Sequence, residues 1–204
     1  MDRSLRQTVP AGPVAGDPTD EAHWVFGYGS LIWRPAFPHV ERRSAHLHDF
    51  ARRFWQRSID HRGTPDAPGR VVTLVQAPGE VCAGVAFRVA AEAIPEVLAL
   101  LDERERGGYT RRRLEVCLTD PAGAGASAAS VAETTCWVYV ADPSNPCYAG
   151  PTPLSEIAAI AGRAHGPSGP NREYVLRLAA AIAELGAADA ELFSLAALVE
   201  REAS

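Results

Sequence analysis

The segment Asp102-Glu-Arg-Glu-Arg-Gly-Gly-Tyr109 places Glu105 in the last turn of a helical pattern, just before a glycine pair. A carboxylate there faces the negative end of the helix dipole, which disfavours its charged form. Partial burial raises its pKa in the same direction, toward the range useful for moving protons at neutral pH. The alternative is a solvated turn in which Glu and Arg pair along the surface, a reading that Asp102 and Glu103 share. A second segment, Trp24-Val-Phe-Gly-Tyr-Gly-Ser-Leu-Ile-Trp33, runs from a strand-like start into a Gly-Tyr-Gly-Ser turn and back into apolar residues. Glycines on both sides of Tyr28 let the backbone come close to a ligand. A loop opened by a strand can point several peptide N–H groups at one small anion or carbonyl oxygen.

Ser30 follows a glycine in that loop, so a nucleophilic role has to be weighed. Ile32 stands where the closing glycine of a Gly-x-Ser-x-Gly elbow belongs, and no spacing nominates a histidine base among the six present. Binding is the use of Ser30 that remains. His46 and His48 share one face of a strand, but no Asp, Glu or Cys cluster nearby completes a metal set, and they read as solvated. Asp60-His-Arg-Gly63 reads as a structured loop. Gly166-Pro-Ser-Gly-Pro170 is either a second ligand loop or, more simply, a rigid link between helices.

All 20 basic residues are arginine, so chemistry that needs an ε-amine is excluded: a Schiff base, pyridoxal phosphate attachment, a P-loop lysine. The planar fork of arginine keeps acidic small molecules open as substrates. A net charge of −5 offers no electrostatic reason to bind nucleic acid. The cysteines Cys82, Cys117, Cys136 and Cys147 form no C-x-x-C pair, and Cys82 and Cys117 lie in apolar runs where a thiol behaves as a small hydrophobe. Without a signal peptide or a long apolar span, the expectation is a reduced, soluble, cytoplasmic protein with no membrane partner.

The elements that must position these residues follow from periodicity. Residues 1–22, rich in Pro, Gly, Asp and Thr, read as a flexible leader, and 23–204 as one domain. Short β runs are expected at Val25–Tyr28, Ala45–Phe50, Phe54–Arg57 and Val71–Gln76. Val81, Ala83, Val85, Phe87 and Val89 alternate as in a strand with one buried face. Ile94, Val97, Leu98 and Leu101 make an amphipathic helix that Gly107-Gly108 stops. Strands return at Tyr109–Leu118 and Thr135–Val140, separated by an Ala/Gly/Ser loop over Pro121–Ser130. Pro153–Ala164, Arg172–Leu185 and Ala190–Glu200 read as helices. The fold class is therefore α+β, with six or seven short strands able to close a small barrel.

Seven segments in order resemble the ChaC family of glutathione-specific gamma-glutamylcyclotransferases: F-G-Y-G-S-L-I-W at 26–33, R-R-F-W-Q at 52–56, D-H-R-G at 60–63, P-G-R-V-V-T-L at 68–74, L-D-E-R-E-R-G-G-Y at 101–109, N-P-C-Y at 145–148 and G-P-S-G-P-N-R-E-Y at 166–174. The resemblance runs from Trp24 to near residue 200 and implies a small mixed β-barrel with helices around it. It implies that the loop of Tyr28, Gly29, Ser30 and Leu31 holds a gamma-glutamyl group and that Glu105 is the catalytic acid/base. Tyr109 and Tyr148 are expected to line the pocket. The implied reaction cleaves glutathione into 5-oxoproline and cysteinylglycine, with neither metal nor organic cofactor. The alternatives are a cyclotransferase for other gamma-glutamyl amines or dipeptides, and a non-catalytic sensor or regulator of cation transport.

Overall fold

The computed structural model describes residues 23–119 and 132–201. Its centre is a closed barrel of five strands: β1 (Trp24–Gly27), β2 (Glu41–Ser58), β3 (Gly69–Arg88), β4 (Thr110–Thr119) and β5 (Ala132–Val140). The order around the barrel is β1-β3-β2-β4-β5. All neighbours are antiparallel except β1 and β5, whose parallel pairing closes the cylinder. β3 meets β1 only at Val85–Arg88 and β2 meets β4 only at Ser44–His46, so the remainder of β2 and β3 runs on as a two-stranded ribbon.

Fewer and longer strands form than the local patterns suggest. The two runs expected within 45–57 are one strand, β2, and the runs at 71–76 and 81–89 are likewise one strand, β3. β2 and β3 pair along nearly their whole length, with irregularities between His48 and Phe50 and between Arg53 and Gln56. At the first, Asp49 takes φ 61, and its carboxylate accepts the Gly79 N–H at 2.8 Å. Such bulges bend a strand without ending it, so the polar interruptions that look like boundaries are kinks. The expected single buried face on 81–89 is also corrected. Cys82 through Phe87 are all buried, whereas Val81 is 45% exposed. A strand inside a barrel that is itself covered by helices buries both faces.

The helix expected around Ile94 is α1 (Ile94–Arg104), which buries Val97, Leu98 and Leu101. The Tyr139 hydroxyl on β5 donates to the Asp102 carboxylate at 2.6 Å and anchors its last turn. After β5 come α2 (Leu154–Arg163), two two-residue strands β6 (His165–Gly166) and β7 (Gly169–Pro170), α3 (Asn171–Glu184) and α4 (Ala190–Arg201). Ile157, Leu178, Ile182, Leu192 and Leu195 interlock the last three helices, each at under 2% exposure. Full burial of such side chains stabilises by roughly 1.5–3 kcal/mol apiece. The Pro121–Ser130 loop and the 1–22 leader lie outside the described residues. The four cysteines are free thiols, with Cys82 and Cys136 buried and Cys117 half-buried. No described helix is long and apolar enough to cross a membrane.

Candidate active site

β1 ends at Gly27, and the chain turns at once: a Cβ on Gly27 would stand 2.7 Å from the Leu31 Cβ. Ser30–Ile32 then forms one 3₁₀ turn, with the Ile32 N–H on the Gly29 carbonyl at 3.0 Å and the Arg34 N–H on the Ser30 carbonyl at 2.9 Å. Gly29 is pressed against the wall opposite, where a Cβ would meet the Tyr174 hydroxyl at 3.0 Å and Val72 Cγ2 at 3.1 Å. The turn is held from behind by Arg52, a buried guanidinium on β2. Its Nε donates to the Tyr28 carbonyl at 2.8 Å, one terminal nitrogen pairs with Asp189 at 2.6 Å, and the other donates to the Ala83 carbonyl. At the ring end, the Tyr28 hydroxyl donates to the Tyr139 carbonyl at 2.6 Å.

Glu105 follows the last residue of α1 and caps it, its N–H bonded to the Leu101 carbonyl at 2.8 Å. The Gly107-Gly108 turn behind it is fixed from two directions. Gln56 Nε2 donates to the Gly107 carbonyl at 2.9 Å, and Asn145 Nδ2 to the Gly108 carbonyl at 2.8 Å. Gly108 has φ +94, a conformation that a Cβ disfavours, and Asn145 occupies the space a Cβ would need. The R-R-F-W-Q and N-P-C-Y segments thus hold the turn that sets the position of Glu105.

Between the two lies a cavity of about 330 Å³, lined among others by Tyr28, Gly29, Ser30, Leu31, Glu105 and Tyr109. A volume of this order suits a small metabolite. Burial pushes the Glu105 carboxyl above its ordinary value; Arg104 and His61 oppose the shift and Asp60 adds to it. About a fifth of the side chain remains exposed, so the group is desolvated yet reachable. Burial, with the Glu105 charge a smaller cause, also raises the Tyr28 phenol, which stays neutral as a hydrogen-bonding wall. Tyr109, raised chiefly by burial, donates to the Val72 carbonyl at 2.7 Å.

The structure therefore brings six of the seven expected site residues to one cavity. Tyr148 is the exception. Its ring packs edge-on against Trp55 at 6.4 Å and its backbone pairs with Gln56 of β2, and it is not among the residues that line the cavity. The segment Gly166–Pro170, expected more simply as a link, contributes Ser168 to the lining, with its hydroxyl 3.2 Å from His61 Nδ1. That contact depends on close backbone packing, because a Cβ on Gly166 would collide with the His61 carbonyl and the Gly63 nitrogen. Asn171 completes the junction: its side chain accepts the Arg70 N–H at 2.6 Å and donates to the Arg70 carbonyl at 2.7 Å.

Reading the sequence did not single out His61, Arg104, Gln56 or Tyr174 as lining residues, though each falls within one of the seven recognised segments. His46 and His48 sit on β2 away from the cavity lining, and no group of three potential metal ligands occurs among the described residues.

The family model described as ChaC-like protein matches residues 23–202. The chain belongs to the ChaC-like family. Within it, the chain is 44% identical over 179 residues to gamma-glutamylcyclotransferase 2-3 of Arabidopsis thaliana, covering 86% of this chain and 87% of that protein. It is 40% identical over 171 residues to glutathione-specific gamma-glutamylcyclotransferase 1 of Mus musculus, covering 83% and 73%. The crystal structure of a gamma-glutamyl cyclotransferase specific to glutathione from yeast superposes with a TM-score of 0.76 at 33% identity, over 89% of this chain and 99% of that one. The barrel and its helices are thus the family's architecture, as the sequence resemblance implied.

Proposed function

We propose that this ChaC-like protein is a gamma-glutamylcyclotransferase that cleaves glutathione into 5-oxoproline and cysteinylglycine. The observation that carries the reading is a single desolvated carboxyl, Glu105, facing a glycine-built loop across a small cavity. The names of its relatives support glutathione as the substrate.

In this reaction the substrate's own α-amine attacks its γ-carbonyl, and no water is consumed. At neutral pH the amine is mostly ammonium and cannot attack. Glu105 takes a proton from it, and the amine closes the five-membered ring. As the C–N bond breaks, the departing cysteinyl nitrogen receives the proton held by Glu105 and the second proton that the ring nitrogen gives up, leaving a lactam N–H and a cysteinyl ammonium. A carboxyl with a raised pKa is a stronger base than an ordinary one and returns the proton more readily than an amine would. Main-chain N–H groups of the Tyr28–Leu31 loop hold the α-carboxylate or the oxyanion at the γ-carbon. Ring closure is intramolecular, so holding the chain folded supplies much of the rate; effective molarities of about 10⁵ M and above are reached when geometry is right.

Incubating the purified protein with glutathione and assaying 5-oxoproline and cysteinylglycine tests the reading. Glutathione acetylated on its α-amine should be inert. Release of free glutamate from either compound would identify a hydrolase instead. Turnover of gamma-glutamyl amines in preference to glutathione would move the protein to the broader substrate class.

A further inference from the structure

The residues lining the cavity include four arginines, Arg34, Arg57, Arg62 and Arg104, and two acidic residues, Asp60 and Glu105. This is a local positive excess on a chain whose net charge is −5. Two of the four are committed to the protein. Arg62 donates to the Pro170 carbonyl at 3.2 Å and lies over the Tyr174 ring at 5.7 Å. Arg104 bonds the Arg34 and Pro35 carbonyls and the Ser30 hydroxyl.

Arg34 differs. Its backbone is fixed at both ends, the N–H on the Ser30 carbonyl at 2.9 Å and the carbonyl under the Arg104 guanidinium at 3.0 Å. Its own guanidinium, like that of the equally exposed Arg57, pairs with no carboxylate among the described residues. The positive charge is felt by its neighbours: burial is the leading cause that lowers Arg62 and Arg104 from the usual guanidinium value, and Arg34 adds to it in both. Arg34 is thus an exposed arginine of the cavity lining, anchored at its backbone, with its guanidinium free to pair with an anionic group of a bound molecule.

We propose that Arg34 binds the terminal carboxylate of the dipeptide leaving group and so selects a gamma-glutamyl peptide over a gamma-glutamyl amine. The proposal rests on the cyclotransferase reading above and adds the recognition of the far end of the substrate. Arg104 separates the two ends: its Nε faces Glu105 at 3.5 Å, and its terminal nitrogen holds the Arg34 carbonyl. Two extended residues beyond the scissile bond span about 7 Å, and Arg34 lines the same cavity as Glu105.

The test compares glutathione with its glycyl amide, in which the carboxylate is replaced by a neutral group, in wild type, Arg34→Ala and Arg57→Ala. Wild type should prefer the acid by roughly 10- to 100-fold in kcat/KM, the factor expected for a charge-assisted hydrogen bond, with most of the change in KM. Arg34→Ala should bring the ratio of acid to amide kcat/KM toward one, chiefly through a rise in KM for glutathione. An unchanged preference in Arg34→Ala, or its loss in Arg57→Ala instead, overturns the assignment to Arg34. Absence of 5-oxoproline from wild type with either compound would instead sink the underlying reaction, so the two failures are distinguishable.

Discussion

Arg104 Nε lies 3.5 Å from a carboxylate oxygen of Glu105, while the same guanidinium donates to the Ser30 hydroxyl at 2.9 Å. One side chain therefore joins the two parts of the site, the capping carboxylate of α1 and the glycine loop after β1. It also opposes part of the upward shift that burial gives the Glu105 carboxyl. The pair is loose enough to leave the carboxylate available to a substrate proton.

Glu105→Gln should abolish 5-oxoproline formation and leave glutathione binding within a few-fold of wild type by calorimetry. A variant retaining a tenth of wild-type turnover would remove Glu105 from the role of base. Because burial raises the folded pKa of Glu105 above 4.5, its contribution to stability is present below that pH and lost as pH rises through the folded value. The neutral amide escapes that loss. Glu105→Gln is therefore expected to unfold at an equal or higher urea midpoint than wild type at pH 7.

The pH profile follows from the same shift. As a base, Glu105 works only when ionised, so kcat/KM should fall on the acid side with an apparent pKa above the ordinary glutamate value of 4.5. Arg104 lowers the Glu105 pKa, and its removal takes that help away. Arg104→Gln should move the acid limb to higher pH, whereas a purely structural loss would reduce the rate equally at every pH.

Arg52 is the support behind the Tyr28 carbonyl, and its partner Asp189 is only 15% exposed. Arg52→Ala leaves that carboxylate without its cation and takes one donor away from each of the Tyr28 and Ala83 carbonyls. Removing one partner of a buried ion pair costs about 3–5 kcal/mol. Urea unfolding should register a loss of that size, and one under 1 kcal/mol would mean that Arg52 supports little. Asp189→Asn, which keeps a hydrogen-bond acceptor, should fall well short of it.

Gly29→Ala tests the tightness of the loop. The new Cβ would stand 3.0 Å from the Tyr174 hydroxyl and 3.1 Å from Val72 Cγ2, so the loop or its neighbours must give by a few tenths of an ångström. Small misplacements at a reacting centre cost roughly 10–100-fold in rate. We expect a loss within that range with a thermal midpoint close to wild type. Full activity would show that the loop tolerates being moved.

Much of the site was legible as local pattern. The glycines around Tyr28 and the carboxylate before Gly107-Gly108 are features of short segments, and both survive in the structure at the cavity. Tyr148 illustrates where local reading ends. Its neighbour Asn145 does reach the Gly107-Gly108 turn, but the bridge from Tyr148 to Gln56 carries the ring to Trp55. Which of two nearby residues points inward depends on how an irregular turn meets a strand. Arg52 and Arg53 pose the same problem on a regular element. They are chemically identical and adjacent, yet one is buried beneath the loop and the other pairs with Glu80 and Glu191 at the surface.

By itself the sequence determined a β-rich body interrupted by one amphipathic helix and followed by C-terminal helices, since hydrophobic period is a local property. It also excluded amine chemistry, since no lysine is present, and it supplied a carboxylate at a helix end beside a glycine turn. Tertiary structure alone decided which groups meet. Arg52 reaches Asp189 across 137 residues, Asn171 reaches Arg70 across 101, and Arg104 reaches Ser30 across 74. Those meetings belong to the assembled fold, in which β5 lies parallel to β1 and closes the barrel. No window of sequence contains both partners, and the cavity that faces Glu105 toward Tyr28 exists only after closure.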